Sequence, residues 1–500
     1  MNKVPYTEKE LEWMKTVIKE EEITKYMDGD KDFINDEEIE NHLKNQQNPD
    51  KKYIQDIIQK ALNIETLAPE ETAALLNVKD AELWEEIFKT AGEIKKRVYD
   101  NRIVTFAPLY CSNLCVNNCL YCGFRHDNTE EQRKKLSLEK IKKEAEVIAG
   151  KIGHKRVIVV YGEHPESDAN YIADTIRAIY EVKVPVKKGT GEIRRVNINA
   201  APMSIKDLEM LRDVGIGTYQ VFQETYHHDT YKRVHPANTI KGNYKWRLYT
   251  MHRALEAGVD DVAIGVLFGL YDWRFEVMGL LYHAIELEKK FGIGPHTVSF
   301  PRLEPALNAP LTENPEYKVS DEDFKKLLAV IRLSIPYTGM ILTARETAEL
   351  RREVMPLGIT QTDASTRIGL GAYSDTYEKQ EADRQQFVIG DTRSLDEVIR
   401  ELAEMGNITS FCTAGYRCGR TGKLIMNTLR NGQERWFCKL NAVLTFREWL
   451  DDFASEETKK IGEELINKEI REVKLKLKDV YPKFKESYER VKQGERDLYF

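Results

Sequence analysis

Three cysteines, Cys115, Cys119 and Cys122, stand in the spacing C-x3-C-x2-C within TFAPLYCSNLCVNNCLYCGFRHDN, with aromatic Tyr121 just before the last of them. Three thiolates so spaced hold three irons of a [4Fe-4S] cubane and leave the fourth iron without a protein ligand. The amino and carboxylate groups of S-adenosylmethionine (SAM) can chelate that open iron. Electron transfer into the sulfonium then breaks a C–S bond and releases a 5′-deoxyadenosyl radical. The competing chemistry is a structural zinc site, which closes with four ligands, and on spacing alone Cys111 could be the fourth. Cys111 lies outside the triplet and is assigned no role.

A second group follows far along the chain: Cys412, Cys418 and Cys438. Seven cysteines in 500 residues are too sparse for a disulfide scaffold. Their clustering favours metal binding or catalysis in a reducing compartment.

The elements that must position these groups are legible as a pattern. Short β-branched apolar runs recur at 103–110, 156–163, 196–203, 217–225, 261–269, 296–304, 339–346 and 359–366, separated by stretches of helical periodicity. Strands alternating with helices make right-handed βαβ units and a parallel sheet. Eight of them predict an α/β fold, a (βα)8 TIM-type barrel over 96–370. Residues 1–95 read as an N-terminal helical extension, with a highly charged arm over the first 50. Residues 371–500 read as a mainly helical C-terminal domain, with a loop-rich link over 369–387 and a charged helical tail from about 456. Polar residues gather at the C-terminal ends of the runs: Gly162, Glu163, Asn199, Gln223, Glu224, Arg302, Arg345 and Ser365. Barrel active sites are built at that end, where loops converge on one mouth.

The composition excludes several classes. Lys+Arg is 75 and Asp+Glu is 82, a net charge of −7 that argues against nucleic acid as the main partner. No apolar run approaches the length of a membrane span, and the N-terminus has no apolar secretion signal. A cytoplasmic location, with no membrane partner, is expected.

C-x3-C-x-aromatic-C after a first barrel strand resembles the radical SAM superfamily. The longer string APLYCSNLCVNNCLYCGFR resembles its aromatic-amino-acid lyases, the 2-iminoacetate synthases of thiamine biosynthesis and the tyrosine-cleaving maturases of [FeFe]-hydrogenase. YQVFQETYH, VLFGLYDWRFEVMGLL, GPHTVSFPRLEPA and SFCTAGYRCGRTG extend the resemblance over roughly 90–450, and the last string points to the maturases. The resemblance implies a SAM-binding [4Fe-4S] cluster and SAM. Gly162-Glu163 resembles the element that holds the SAM amino group. Asn199, Gln223 and Glu224 are candidates for ribose, SAM or substrate, and Arg233 for the SAM carboxylate. The implied substrate is L-tyrosine, cleaved between Cα and Cβ to p-cresol and dehydroglycine. Arg345 matches the position that pairs with the tyrosine carboxylate, a task suited to a guanidinium fork, and Ser365 and Arg302 could complete the pocket. A ferredoxin- or flavodoxin-type reductant and other hydrogenase maturation proteins are the implied partners.

The maturase resemblance also implies C-x2-C-x22-C near the C-terminus, binding an auxiliary Fe-S cluster on which dehydroglycine becomes CO and cyanide. Cys412 and Cys438 fall at the first and third places, but Gly415 stands at the middle one. Cys418 could substitute in altered geometry, about 4.5 Å further along a helix axis. His283 matches the histidine of the labile iron, whereas His296, at the start of a strand, is expected at the wrong end of the barrel. Without the auxiliary cluster, a 2-iminoacetate synthase is the alternative, and a non-catalytic Fe-S scaffold is a third reading.

Overall fold

The computed structural model describes residues 4–375 and 386–500. The middle of the loop-rich link, 376–385, lies outside the described residues. All eight expected runs contain a strand: β1 (Arg102–Ser112), β2 (Arg156–Tyr161), β3 (Arg195–Asn199), β4 (Tyr219–Gln220), β5 (Val262–Gly265), β6 (Thr297–Ser299), β7 (Gly339–Leu342) and β8 (Gln361–Asp363). Each pairs in parallel with the next, and β8 returns to β1 through Val104 opposite Gln361, which closes the barrel. Helices between the strands cover the outside, and their apolar faces merge with the strands in one continuous core. All eleven residues of β1 are buried, as an apolar strand walled on both faces must be.

Six helices precede β1. The last, Ala81–Tyr99, buries Trp84, Ile87, Ile94 and Val98. Earlier parts of the arm are ordered too: Ile23 and Tyr26 pack with Val116, Trp246 and Tyr249. Among the described residues, the C-terminal region is helical apart from one strand. Strand β9 (Ile408–Ser410) adds to β1 in parallel, with Arg102 opposite Ile408. That pairing brings the second cysteine group under the N-terminal end of the barrel, where helix Glu434–Asp452 packs. No described helix is long and apolar enough to cross a membrane.

Candidate functional site

The C-terminal ends of the strands open into a cavity of about 1580 Å³ of empty space, its solvent-open mouth included. Cys115, Cys119 and Cys122 line it together with Gly162, Glu163, Asn199, Glu224 and Arg345. The thiols sit on the loop after β1, and that loop is anchored on both sides. Val116 N donates to Glu163 O at 2.9 Å, and Leu120 N donates to Val234 O at 3.1 Å. A side chain at Gly162 could not coexist with this loop, because its Cβ would stand 2.2 Å from Leu114 O. The glycine of the Gly-Glu pair is therefore a close-approach residue for the thiol loop. Burial pushes all three thiols above their ordinary range, Cys119 to about 11. Iron binding must displace their protons.

Glu163 is 7% exposed. One carboxylate oxygen accepts from the Asn117 amide at 2.5 Å, and the other is buried without a partner. Burial raises its pKa, opposed by Asn117 and by the positive charges of Arg247 and Lys241. An orphaned buried acceptor requires a donor, and an ammonium facing it would restore the lost solvation. Glu224, at φ +72°, projects into the same cavity. Burial alone would raise its carboxyl. Lys241 at 2.8 Å and Arg247 at 3.4 Å outweigh that and hold it low. Arg345 is lowered by burial. Its guanidinium stacks 3.3 Å from the Phe387 ring centroid and makes no ion pair with a described residue.

Asn117, Lys241, Arg247 and Asp363 also line the cavity and were not singled out from sequence. Asn117 lies inside the cysteine motif, where a buried polar residue between two ligands was the available signal.

Four sequence candidates do not line this cavity. Side chains alternate across a strand, so Gln220, Phe222 and Glu224 face inward and Gln223 does not. Arg233 is half-exposed and faces Glu316 at 3.4 Å. Arg302 is engaged by Asp321 at 2.8 Å and by Glu346, while its neighbours Pro301 and Leu303 face the cavity. The Ser365 hydroxyl accepts from Leu395 N at 2.8 Å, at the start of a helix capped by Ser394. Cys111 is also elsewhere. Its thiol is buried among the helix-facing side chains of the barrel and raised to about 12. It cannot close a four-sulfur zinc site with the triplet.

A second cavity, about 530 Å³ of empty space with its openings, lies at the N-terminal end of the barrel. Cys412, Cys438, Gly415, Arg102, His296 and Glu434 are among its walls. The short helix Ala414–Arg417 is fastened there by the Tyr416 hydroxyl, which donates to Asp261, and by Arg195 stacked 3.7 Å from the Tyr416 ring centroid. His296 precedes β6 and so does stand at the wrong end for the first cavity, but at the right end for this one. His283 does not reach it. It is buried on helix Trp273–Phe291, hydrogen-bonded to Tyr226 at 2.8 Å and packed on Phe33. Cys418 does not reach it either. Its exposed thiol lies 3.7 Å from Phe500 O, outside the cavity lining.

A barrel whose mouth carries three loop thiols beside a buried Gly-Glu turn defines a class. The radical SAM superfamily model matches residues 109–278, and the Biotin and Thiamin Synthesis associated domain matches 299–408. The chain belongs to the radical SAM superfamily, whose members carry a [4Fe-4S] cluster and SAM. Within it the chain is HydG-like. It is 48% identical to the protein in a crystal structure of HydG, a maturase of the [FeFe]-hydrogenase, covering 94% of this chain and 100% of that one with a TM-score of 0.88. The HydG structure from Carboxydothermus hydrogenoformans is 39% identical, covering 95% and 98%, with a TM-score of 0.74. The 2-iminoacetate synthase of Salmonella typhimurium is 30% identical over 350 residues, 70% of this chain and 88% of that protein.

Proposed function

We propose that the protein is a radical SAM tyrosine lyase of the hydrogenase-maturase type, cleaving the Cα–Cβ bond of L-tyrosine to p-cresol and dehydroglycine. When bound, the cluster and SAM supply one-electron cleavage of the sulfonium and hence a hydrogen-abstracting radical. Cys115, Cys119 and Cys122 fit the cluster, and the orphaned oxygen of Glu163 fits the SAM ammonium. The observation that carries the substrate reading is Arg345. It is a half-buried guanidinium with no carboxylate in ion-pair contact among the described residues, in the same cavity as the three thiols. An amino-acid carboxylate would supply the missing charge and fix the substrate against the SAM side of the cavity. Glu224 would stay ionised and hold Lys241 and Arg247 in place. Tyr121, Leu267 and Leu303 wall the cavity and would exclude water from a reactive radical.

The test is anaerobic turnover of the reduced, reconstituted protein with SAM and tyrosine. Equal amounts of p-cresol and 5′-deoxyadenosine are expected; deoxyadenosine without p-cresol would remove tyrosine as the substrate, and neither product would leave a non-catalytic scaffold.

A second reading has its own observation. Gly415 removes a thiolate from the second cavity and Cys418 does not restore it, so Cys412 and Cys438 remain as its sulfur donors. These residues do not present the three-thiolate set of an auxiliary cubane. We therefore read two functions in order. Dehydroglycine formation rests on the first cavity alone. Its conversion to CO and cyanide requires the second cavity to hold an auxiliary cluster with a ligand from another source. An enzyme that stops at dehydroglycine, as a 2-iminoacetate synthase would, releases neither gas. Seven free cysteines suit a reducing cytoplasm, where a ferredoxin- or flavodoxin-type donor and other maturation proteins would be its partners.

A further inference from the structure

The carboxylates and cations that line the first cavity do not all pair with one another. Glu224 is matched by Lys241 and Arg247. Glu163 keeps its orphaned oxygen for the SAM ammonium. Arg345 and Asp363 remain, one cation and one carboxylate, on neighbouring parts of the wall. Asp363 ends β8 and Arg345 follows β7, and these strands pair through Thr362 opposite Leu342. One Asp363 oxygen accepts at 2.7 Å from Ala344 N, in the residue just before Arg345, and the other accepts from the Thr366 hydroxyl at 2.8 Å.

That adjacency suits an α-amino acid. Its ammonium and carboxylate share one carbon, so their partners must be neighbours. Asp363 is 6% exposed. The guanidinium of Arg351 stands 3.9 Å from it, but is committed to Asp391, the Thr362 hydroxyl and Asp363 O. Tyr110 on β1, Tyr373 in the link after β8 and Arg345 are the other titratable groups around it. Burial raises the Asp363 carboxyl above the usual carboxylate range, against the pull of Arg351, Thr366 and Ala344 N. A carboxylate so placed can hold a proton. The reaction needs one held. Dehydroglycine is an imine, and its C=N bond uses the nitrogen lone pair, which an ammonium lacks. The amino group must therefore shed a proton before the Cα–Cβ bond breaks.

We propose that Asp363 is a catalytic residue of this site, binding the α-ammonium of the amino-acid substrate and taking one of its protons. The proposal rests on the tyrosine-lyase reading above. In the transfer an N–H bond breaks, an O–H bond forms on Asp363, and the electron pair stays on nitrogen. Nothing is oxidised or reduced. Arg345 holds the substrate carboxylate beside it.

The full-length chain, reconstituted and loaded with SAM but left unreduced so that no turnover occurs, is titrated anaerobically with L-tyrosine and with desaminotyrosine, which lacks the amino group. The natural chain is expected to prefer tyrosine by roughly 10- to 100-fold. Asp363→Asn, which keeps an acceptor for Ala344 N, should lose most of that preference and bind desaminotyrosine as the natural chain does. In the reduced protein, p-cresol formation by Asp363→Asn should fall about 100-fold near pH 7. It should recover as pH passes about 8, where an α-amino group loses its proton unaided. An intact preference for tyrosine overturns the proposal, because the ammonium is then held elsewhere. Equal weakening of both ligands also overturns it, since the substitution has then only displaced Arg345. A lost preference with the natural pH profile removes the proton transfer. If Asp363→Asn fails to hold its iron, the natural chain decides. A preference for tyrosine that fades on acidification supports the proposal, and no preference at any pH overturns it. A natural chain that binds neither ligand and forms no p-cresol overturns the tyrosine reading together with the proposal.

Discussion

The Glu10 carboxylate lies 3.0 Å from the ring Nε2 of His164, and so fastens the N-terminal arm to the residue that follows Glu163. His164 Nδ1 accepts from Glu166 N at 3.1 Å, so Nε2 carries the proton and donates to Glu10. Burial holds the His164 pKa below its ordinary value, against the pull of Glu10. Four residues earlier the arm touches the thiol loop itself: the Tyr6 hydroxyl donates to Val116 O at 2.9 Å, and its ring stacks on His126 at 4.2 Å. Asn117 and Glu163 hold the same loop from the cavity side. The arm is a clasp on the turn that presents Glu163.

Loosening that clasp should weaken SAM without emptying the cluster. Tyr6→Ala is expected to lose about 1–2 kcal/mol of positioning, a roughly 5- to 30-fold rise in KM for SAM. Iron content should stay at the natural level. Deoxyadenosine formation against SAM concentration measures this, and an unchanged KM would detach the arm from the site.

Glu163→Gln removes the charge but keeps the shape. A hydrogen bond to a charged group contributes about 1.5–3 kcal/mol, so SAM affinity should fall roughly 10- to 100-fold. The reduced cluster should still assemble on Cys115, Cys119 and Cys122. SAM titration of the reduced cluster's spectrum reads this directly, and affinity within twofold of the natural chain would mean that the ammonium binds elsewhere.

Arg345→Lys tests the substrate end. Lysine retains the charge but not the planar fork. KM for tyrosine is expected to rise about tenfold or more, corresponding to about 1.4 kcal/mol. A displaced substrate should also uncouple SAM cleavage, giving more deoxyadenosine than p-cresol. Equal products at an unchanged KM would remove Arg345 from the substrate pocket.

The barrel was legible because its strands are short β-branched runs at even spacing, and each run contains a strand. Which end mattered was legible only in part. Gly162, Glu163, Asn199, Glu224 and Arg345 converge as expected, but Gln223, Arg302 and Ser365 lie near the same strand ends and face elsewhere. Being at a strand end fixes height in the barrel, and side-chain alternation fixes direction. Arg233 failed for another reason: nothing local says whether a helical arginine turns toward a cavity or toward Glu316. The second cavity was hidden by topology. Only the pairing of β9 with the start of β1 shows that Cys412 lies beneath the barrel, next to His296.

Glu276 gives the fold a pH dependence. It is fully buried, accepts from Tyr226 N at 2.8 Å and from the Thr225 hydroxyl, and burial raises its pKa to about 8. The folded state therefore holds a proton that the unfolded chain releases near 4.5. Its contribution is full below 4.5 and is lost as pH rises through about 8. Glu276→Gln cannot ionise. Its Tm should fall less than that of the natural chain between pH 6.5 and 9, and parallel losses in the two proteins would assign the charge penalty to other groups.

Residues Arg496–Phe500 form a strap beside the second cavity. Asn441, which lines it, accepts from Phe500 N at 2.8 Å and donates to Phe500 O at 3.0 Å. Arg420, also in the wall, donates to the same oxygen at 3.0 Å. Two salt bridges, Arg496 with Asp452 and Arg417 with Asp497, hold the strap on either side. Any ligand entering on this side must displace it. Asn441→Ala removes two of these hydrogen bonds, about 1–2 kcal/mol in total at partly exposed sites, which raises the open population roughly 5- to 30-fold. Alkylation of Cys438 in the metal-free full-length chain should accelerate by that factor. Exposed Cys418 should react at nearly its natural rate, and Cys111, in the core, should stay protected. Equal Cys438 rates in the two proteins would show that the cavity opens by another route. The opposite pattern, with Cys111 also reacting, would mean that the substitution has loosened the barrel and not the strap.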